Sequence, residues 1–407
     1  MFVKPSLFLF ENGKTYMENK SNMLPFNIPR NLLLIAAAMF LWGLGEGLFI
    51  FFLPLTLQRF DASTVLIGGI LSMIGVVMTL VQIPSGYLSD RLGTRPLILV
   101  GMLLGIASAL VMAFAQGLPL FAGGLLGIGL TSFINPPLNS FVTSLRGKWT
   151  VQRAMTFIGA AATIGGILGP MLGGRIADAY GIEVIFRFSA GLYVASMLVF
   201  LFTRKSAEVD ELMTEEPKTQ KLNPLKNMRF MGLLAILIVT ILFLSVPQQL
   251  TSMYLHNIQH LSTQQIGVLG TVSGVVTALM MLVLGNLNPS LGMFIGQFMI
   301  AGFVFLMWRG ENLPAFITGY ALIGGYRLYR VMAMAYSRSL VDQNNVGLAY
   351  GLVDTGNALA MIAAPLLAGV LYDFQPVMVY TVSLGALIIT MALNYLFLRK
   401  KRVNSRF

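Results

Sequence analysis

Hydrophobic positions in this chain neither alternate nor recur on one helical face. They run on, and short polar segments interrupt them. Twelve apolar stretches can be read, at Asn31–Leu57, Thr64–Leu88, Leu97–Ala115, Leu118–Leu145, Ala154–Ala177, Val184–Thr203, Phe230–Leu255, Gln264–Leu284, Leu291–Trp308, Leu313–Leu340, Val346–Tyr372 and Val377–Leu398. A helix needs about 20 apolar residues to cross the hydrocarbon layer of a bilayer. Barrel strands need about 10 residues of alternating character, which these runs lack. The pattern therefore predicts an all-α membrane protein of twelve transmembrane helices.

Composition sharpens this. Of 407 residues, 56% are hydrophobic and 11% charged, against about 25% charged in a soluble domain. A soluble fold of this size has too little interior for so much apolar surface. Cytosolic enzymes, disordered chains and secreted disulfide scaffolds are excluded, and the absence of cysteine removes disulfides and thiolate metal sites. The net charge of +11 would suit nucleic acid, but its placement says otherwise. With both termini in the cytoplasm, 21 of the 27 Lys and Arg fall on the cytoplasmic side, four (Arg59, Arg175, Arg187, Arg309) outside and two (Arg327, Arg330) within a span. That asymmetry fixes orientation, and the basic face meets an anionic leaflet rather than nucleic acid. No signal peptide is visible, since Leu7–Phe10 is too short for its apolar core. A multi-pass protein of the plasma membrane is expected.

Residues 204–229 are charged, contain two prolines and read as a linker. They divide the chain into an N-terminal arm (1–30), a six-helix bundle (31–203), the linker, a second six-helix bundle (230–398) and a basic tail (399–407). The two bundles are related. Displaced by 199 residues, Ser63–Gly93 overlays Ser262–Gly292, with Ile67/Ile266, Gly68/Gly267, Gly75/Gly274, Leu92/Leu291 and Gly93/Gly292 among the identities. Displaced by 195, Gly129 meets Gly324, Pro170 meets Pro365, Gly174 meets Gly369 and Asp178 meets Asp373. A register of glycines and a proline implies parallel repeats about an axis along the membrane normal, with a cavity between two bundles that can rock.

Three sequence features carry mechanism. Between spans two and three stands Gly86-Tyr-Leu-Ser-Asp90-Arg91-Leu-Gly93-Thr-Arg95, followed by Pro96 rather than a further basic residue. Its glycines suit a tight turn and close helix approach, Asp90 suits a neighbouring helix N-terminus, and Arg91 and Arg95 suit acids or lipid headgroups. This segment resembles the signature loop of the major facilitator superfamily. The resemblance implies alternating access in a 12-span transporter of the drug or metabolite efflux type, with this loop latching one state. The second copy (Gly285 to Gly292) keeps the glycines and loses the charges. In span five, Gly165-Gly-Ile-Leu-Gly169-Pro170-Met-Leu-Gly173-Gly174 offers small residues for a partner helix and resembles the motif associated with exporters of that superfamily. Plain helix packing is the other reading.

The third feature is polarity inside the membrane. Glu46 lies in span one, Tyr326, Arg327 and Arg330 in span ten, and Asp354 in span eleven. An arginine at the bilayer centre costs about 2.5–3.5 kcal/mol, so Arg327 and Arg330 should face a wet cavity or a partner. Their i, i+3 spacing predicts a shared face and an anion-binding fork. Glu46 should either neutralise one of them or carry a proton, and a purely structural Glu46–Arg bridge is the alternative. If Glu46 neutralises one arginine and Asp354 lies too near the cytoplasm to reach the other, a net positive site remains. Asn135 and Asn139 near a Pro-Pro break in span four, and Gln248 and Gln249 in span seven, add polar groups; the family resemblance places helices one, four, seven and ten around the cavity. His256 and His260 lack a third ligand and read as solvated loop residues, so no metal site is expected, and no cofactor.

These features favour a secondary transporter, functioning as a monomer, that couples protons or another ion to efflux of small amphipathic or anionic organic compounds. A symporter importing an organic anion and a non-transporting sensor with the same fold are the alternatives. A membrane enzyme would need a catalytic cluster that is not present in the sequence, and without an ATP-binding loop the energy should come from an ion gradient.

Overall fold

A computed structural model describes residues 28–147, 149–203, 227–285, 287–341 and 346–404. The arm before residue 28, residues 204–226 of the expected linker and the last residues of the tail lie outside the described residues. The apolar runs fold as helices. The first half comprises α1 (Arg30–Ile50), α2 (Leu53–Gln58), α3 (Thr64–Leu92), α4 (Thr94–Ala113), α5 (Leu118–Leu130), α6 (Asn135–Leu145), α7 (Val151–Tyr180) and α8 (Ile182–Leu201). The second half repeats that order as α9 (Met228–Gln249), α10 (Thr251–Asn257), α11 (Thr263–Leu284), α12 (Pro289–Arg309), α13 (Leu313–Leu322), α14 (Gly325–Arg338), α15 (Val346–Phe374) and α16 (Met378–Asn404).

The first and seventh spans thus bend near their ends, into α1–α2 and α9–α10. The fourth and tenth break at mid-membrane. A short 3₁₀ turn over Thr131–Ile134 joins α5 to α6, and Ile323–Gly324 separates α13 from α14. Among the described residues, eleven helical segments are long and apolar enough to cross a membrane. The span expected at Leu313–Leu340 is the exception, because the break shortens it and α14 holds Arg327, Arg330 and Arg338. Even turn geometry repeats: Asp61 and His260, 199 residues apart, both adopt the left-handed conformation, with φ of 56° and 55°. Each precedes a serine, Ser63 or Ser262, that caps the following helix.

Within the first half α1 lies against α7 and α8; within the second α9 lies against α15 and α16. The halves meet through the symmetry-related pairs α3–α15 and α7–α11, and through α2–α10. Close approaches along those pairs join Gly68 to Pro365, Gly267 to Pro170, Gly75 to Ile362 and Gly274 to Ile167. All lie in the half of the membrane remote from the chain termini. On the terminus side the same helices part: Leu80 is 61% exposed, Leu279 57% and Leu282 79%. The protein is therefore closed on the face opposite its termini and open on the terminus face.

One expectation about the signature segment is corrected. Gly86 to Arg91 do not form a loop; they continue α3, and the turn is confined to Gly93, whose φ of 81° suits glycine. Arg91 sits over the ring of Tyr87, 4.6 Å from its centroid. Arg95 donates to the Leu201 carbonyl at 3.0 Å, which ties the start of α4 to the end of α8. The side chain of Asp90 lies outside the described residues.

Candidate functional site

The first half holds a cavity of about 480 Å³. Its wall is mostly apolar and includes Met39, Met78, Met102 and Met155, soft side chains that adapt to irregular shapes. The polar groups are few: Glu46, Asn135, Asn139, the Thr131 and Ser132 hydroxyls, the Trp42 indole and the Tyr193 phenol. Glu46 is held there by its helix. On one side α1 rests on α7, where a methyl group at Gly165, Gly169 or Gly173 would overlap backbone atoms of Phe40, Gly47 and Leu48. On the other side Ser189 and Ser196 of α8 donate to the α1 carbonyls of Gly45 and Ala38, at 2.8 and 2.7 Å. Trp42 stacks on Tyr193 with ring centroids 4.2 Å apart, one turn from the carboxylate. Among the described residues Glu46 has no cation and no hydrogen-bond donor as a partner.

The span-five motif has a second face. Pro170 and Gly174 turn towards α11, where Gly267, Thr263 and Gln264 lie against them. One small-residue pattern thus seats the carboxylate helix and forms part of the junction between the halves. Asn135 and Asn139 enter the cavity from α6, one turn apart. The break that precedes them is tied to α3 by side chains. Ser132 donates to the Met78 carbonyl at 3.3 Å, and Ser85 of α3 donates to the Phe133 carbonyl.

The second half does not provide the expected arginine fork. Arg330 pairs with Asp354 at 3.0 Å, both side chains about half exposed. Asp354 does reach span ten, because α15 passes close beside α14. The supposed Glu46–Arg bridge is absent among the described residues, and the charges form two separate sites. Arg327 is exposed and has no ion-pair partner among the described residues. Tyr326 donates to Asn357 Oδ1 at 2.9 Å. Gln248 and Gln249 donate back to their own helix, to the Leu244 and Ser245 carbonyls at 2.7 and 3.3 Å, and line no cavity described here.

Sequence reading also missed a buried polar knot in the second half. Asn394 donates towards Gln297 Oε1 at 3.2 Å and the Tyr329 hydroxyl at 3.3 Å, and Gln297 donates to Thr390 at 3.3 Å. These residues come from α12, α14 and α16, and only the fold brings them together. His256 donates through Nδ1 to the Leu261 carbonyl at 2.9 Å, and no cluster of three metal-binding side chains occurs among the described residues.

A cavity of this size, with a lone carboxylate and an aromatic pair on its wall, has room for a small organic molecule. Known proteins place the chain. The sequence profile of the Major Facilitator Superfamily matches residues 35–308 and 253–407. An uncharacterized MFS-type transporter of Methanocaldococcus jannaschii is 23% identical over 358 residues, covering 85% of this chain and 92% of its own. Multidrug resistance protein 2 of Bacillus subtilis is 24% identical over 358 residues, covering 84% and 89%. Among solved structures, the nucleoside transporter NupG superposes with a TM-score of 0.72 at 14% identity, covering 91% of this chain and 98% of its own. The human organic anion transporter MFSD10 superposes with a TM-score of 0.60 at 19% identity, covering 90% and 99%. Twelve spans in two matched bundles, the signature segment and the profile that matches almost the whole chain lead to one conclusion: this is a multi-pass membrane transporter, not an enzyme, and it belongs to the major facilitator superfamily.

Proposed function

We propose that the protein is a proton-coupled exporter of small amphipathic organic compounds. It would reside in the plasma membrane as a monomer, with both termini in the cytoplasm as the Lys and Arg distribution favours. The observation that carries this reading is Glu46, an uncompensated carboxylate on the wall of an apolar cavity beside Trp42 and Tyr193. Substrate and proton compete for such a group, and competition at one site gives obligatory exchange. The carboxylate also favours substrates with a positive charge, and the ring of Trp42 supports the same preference. Similarity to multidrug resistance proteins agrees with a broad, apolar pocket.

The test is transport in liposomes. Protein reconstituted under an imposed pH gradient should move ethidium against its concentration gradient, and Glu46→Gln should abolish the gradient-driven component. Equal rates with and without the gradient would sink the proposal.

A second reading rests on Arg327. Exposed and without a counter-ion among the described residues, it fits an organic anion, the sense in which the MFSD10 likeness points. A fluorescent carboxylate used as probe in the same liposomes separates the two, since only this second reading loses flux with Arg327→Gln.

A further inference from the structure

Two carboxylates stand where their own helices disfavour them. Asp178 lies in the last turn of α7 and Asp373 in the last turn of α15, where the helix dipole presents its negative end. Both are compensated from the opposite half. Asp178 accepts from the backbone N–H of Thr263 at 3.1 Å and of Gln264 at 3.0 Å, and from the Thr263 hydroxyl. Those are the first groups of α11, an N-terminus whose positive end suits an anion. Asp373 accepts from the Thr64 hydroxyl at 2.8 Å, at the first residue of α3. Four residues before each aspartate stands a glycine that admits the partner. Gly174 packs on Thr263 and Gln264, and Gly369 on Thr64 and Val65.

The two arrangements are copies. Gly174 and Asp178 match Gly369 and Asp373 at a displacement of 195. Ser63-Thr64 matches Ser262-Thr263 at 199, each behind the left-handed turn residue Asp61 or His260. Repetition of helix packing alone would not require the carboxylates. They add polar bonds across the seam between halves, on the face that is closed in this structure, and none of them lines the cavity.

We infer that Asp178 and Asp373 are the paired gate residues of the closed face. Both sets of bonds must break before the transporter opens on that side, so they set the balance between its two states. The Asp178 side, with three bonds against one, contributes more. This holds whatever the carried molecule and whether or not protons drive it, since it needs only the rocking of two bundles.

The chain contains no cysteine, so introduced pairs can be spin-labelled without background. Phe114→Cys with Glu311→Cys reports the closed face, and Leu92→Cys with Leu291→Cys the open one; all four positions are exposed. Distances are measured between labels on the full chain in lipid nanodiscs. Asp178→Asn should raise the population with a separated Phe114–Glu311 pair by about tenfold, the order expected for losing charged hydrogen bonds. Asp373→Asn should raise it less, and the double variant should approach the product. Thr64→Val removes the partner and leaves the carboxylate, so it should match Asp373→Asn; Thr263→Ser should behave as the parent. Distance distributions unchanged in Asp178→Asn and in Thr64→Val would overturn the assignment, even if the double variant fails to fold.

Discussion

The seat of the carboxylate helix can be tested by adding a single methyl group. In Gly169→Ala the new carbon would lie 2.8 Å from the Leu48 nitrogen and closer still to the carbonyl carbon and Cα of Gly47, where ordinary contact is 3.4–4 Å. All of these are backbone atoms, so no side chain can rotate away, and α1 and α7 must part by roughly 1 Å. Overpacking of this kind costs about 1–3 kcal/mol. Alanine returns about 0.5–1 kcal/mol through lower backbone entropy in the unfolded chain, which leaves a net loss of up to about 2.5 kcal/mol by difference. Gly191 of α8 is the internal control. It is also a mid-helix glycine of the first half, yet a methyl there meets nothing within 4 Å, so Gly191→Ala should gain about 0.5–1 kcal/mol. Scanning fluorimetry of the purified protein reads the sign directly: a lower midpoint for Gly169→Ala, a higher one for Gly191→Ala. Because the displaced segment of α1 lies within one turn of Glu46, Gly169→Ala should also slow exchange out of proportion to its stability loss. Midpoints that rise in both variants would refute the close contact, and with it the role of the span-five motif in placing Glu46.

Other outcomes follow from the same geometry. Trp42 is one of three tryptophans and the one on the cavity wall, so ligand binding should quench its emission; Trp42→Phe should remove the quench, and a full quench in that variant would place binding elsewhere. The Arg330–Asp354 pair is half exposed, so a double-mutant cycle on Arg330→Gln and Asp354→Asn should give a coupling below about 1 kcal/mol in unfolding, while a larger value would mark the pair as structural. Asn394→Leu should leave the buried Gln297 Oε1 without its donor and lower stability by about 1–3 kcal/mol, read as a fall in the melting midpoint with transport selectivity unchanged.

The fold was legible because a bilayer imposes a coarse rule that length and hydropathy satisfy. The two bundles and the internal repeat are present as expected, and so are the spans apart from the tenth. The break in span ten was not read, because its apolar flanks disguise Ile323–Gly324, although the matching break in span four was flagged by Asn135-Pro136-Pro137. Pairing between distant side chains was the weakest point. Hydropathy places Glu46, Arg327, Arg330 and Asp354 in the membrane but says nothing of helix azimuth, and azimuth decides that Asp354, not Glu46, meets Arg330. Tyr193 escaped notice for the same reason: an aromatic in an apolar span carries no mark of facing a cavity. The repeat also marks the junction between the halves. Its matched glycines, Pro170/Pro365 and Asp178/Asp373 gather along the seam between the halves, where symmetry has a mechanical reason to persist.

That contrast separates frame from cargo chemistry. Residues retained in both halves build the seam, the bends and the turns, and each acts twice because rocking moves two equivalent interfaces. Residues that differ between halves occupy the interior of the bundles. Asn135 in α6 corresponds to Arg330 in α14 at a displacement of 195, and the lone carboxylate of α1 has no counterpart among the acidic residues of α9, which holds none. The proposed proton-coupled exchange needs only one proton-carrying group per cycle. A second in the opposite half would oblige two charges to cross together in a low-dielectric interior, where each uncompensated charge is costly. The Arg330–Asp354 pair lets the second half hold an acidic group beside a compensating cation, and under the proposed exchange it leaves Glu46 as the group that a proton or a cationic substrate would neutralise.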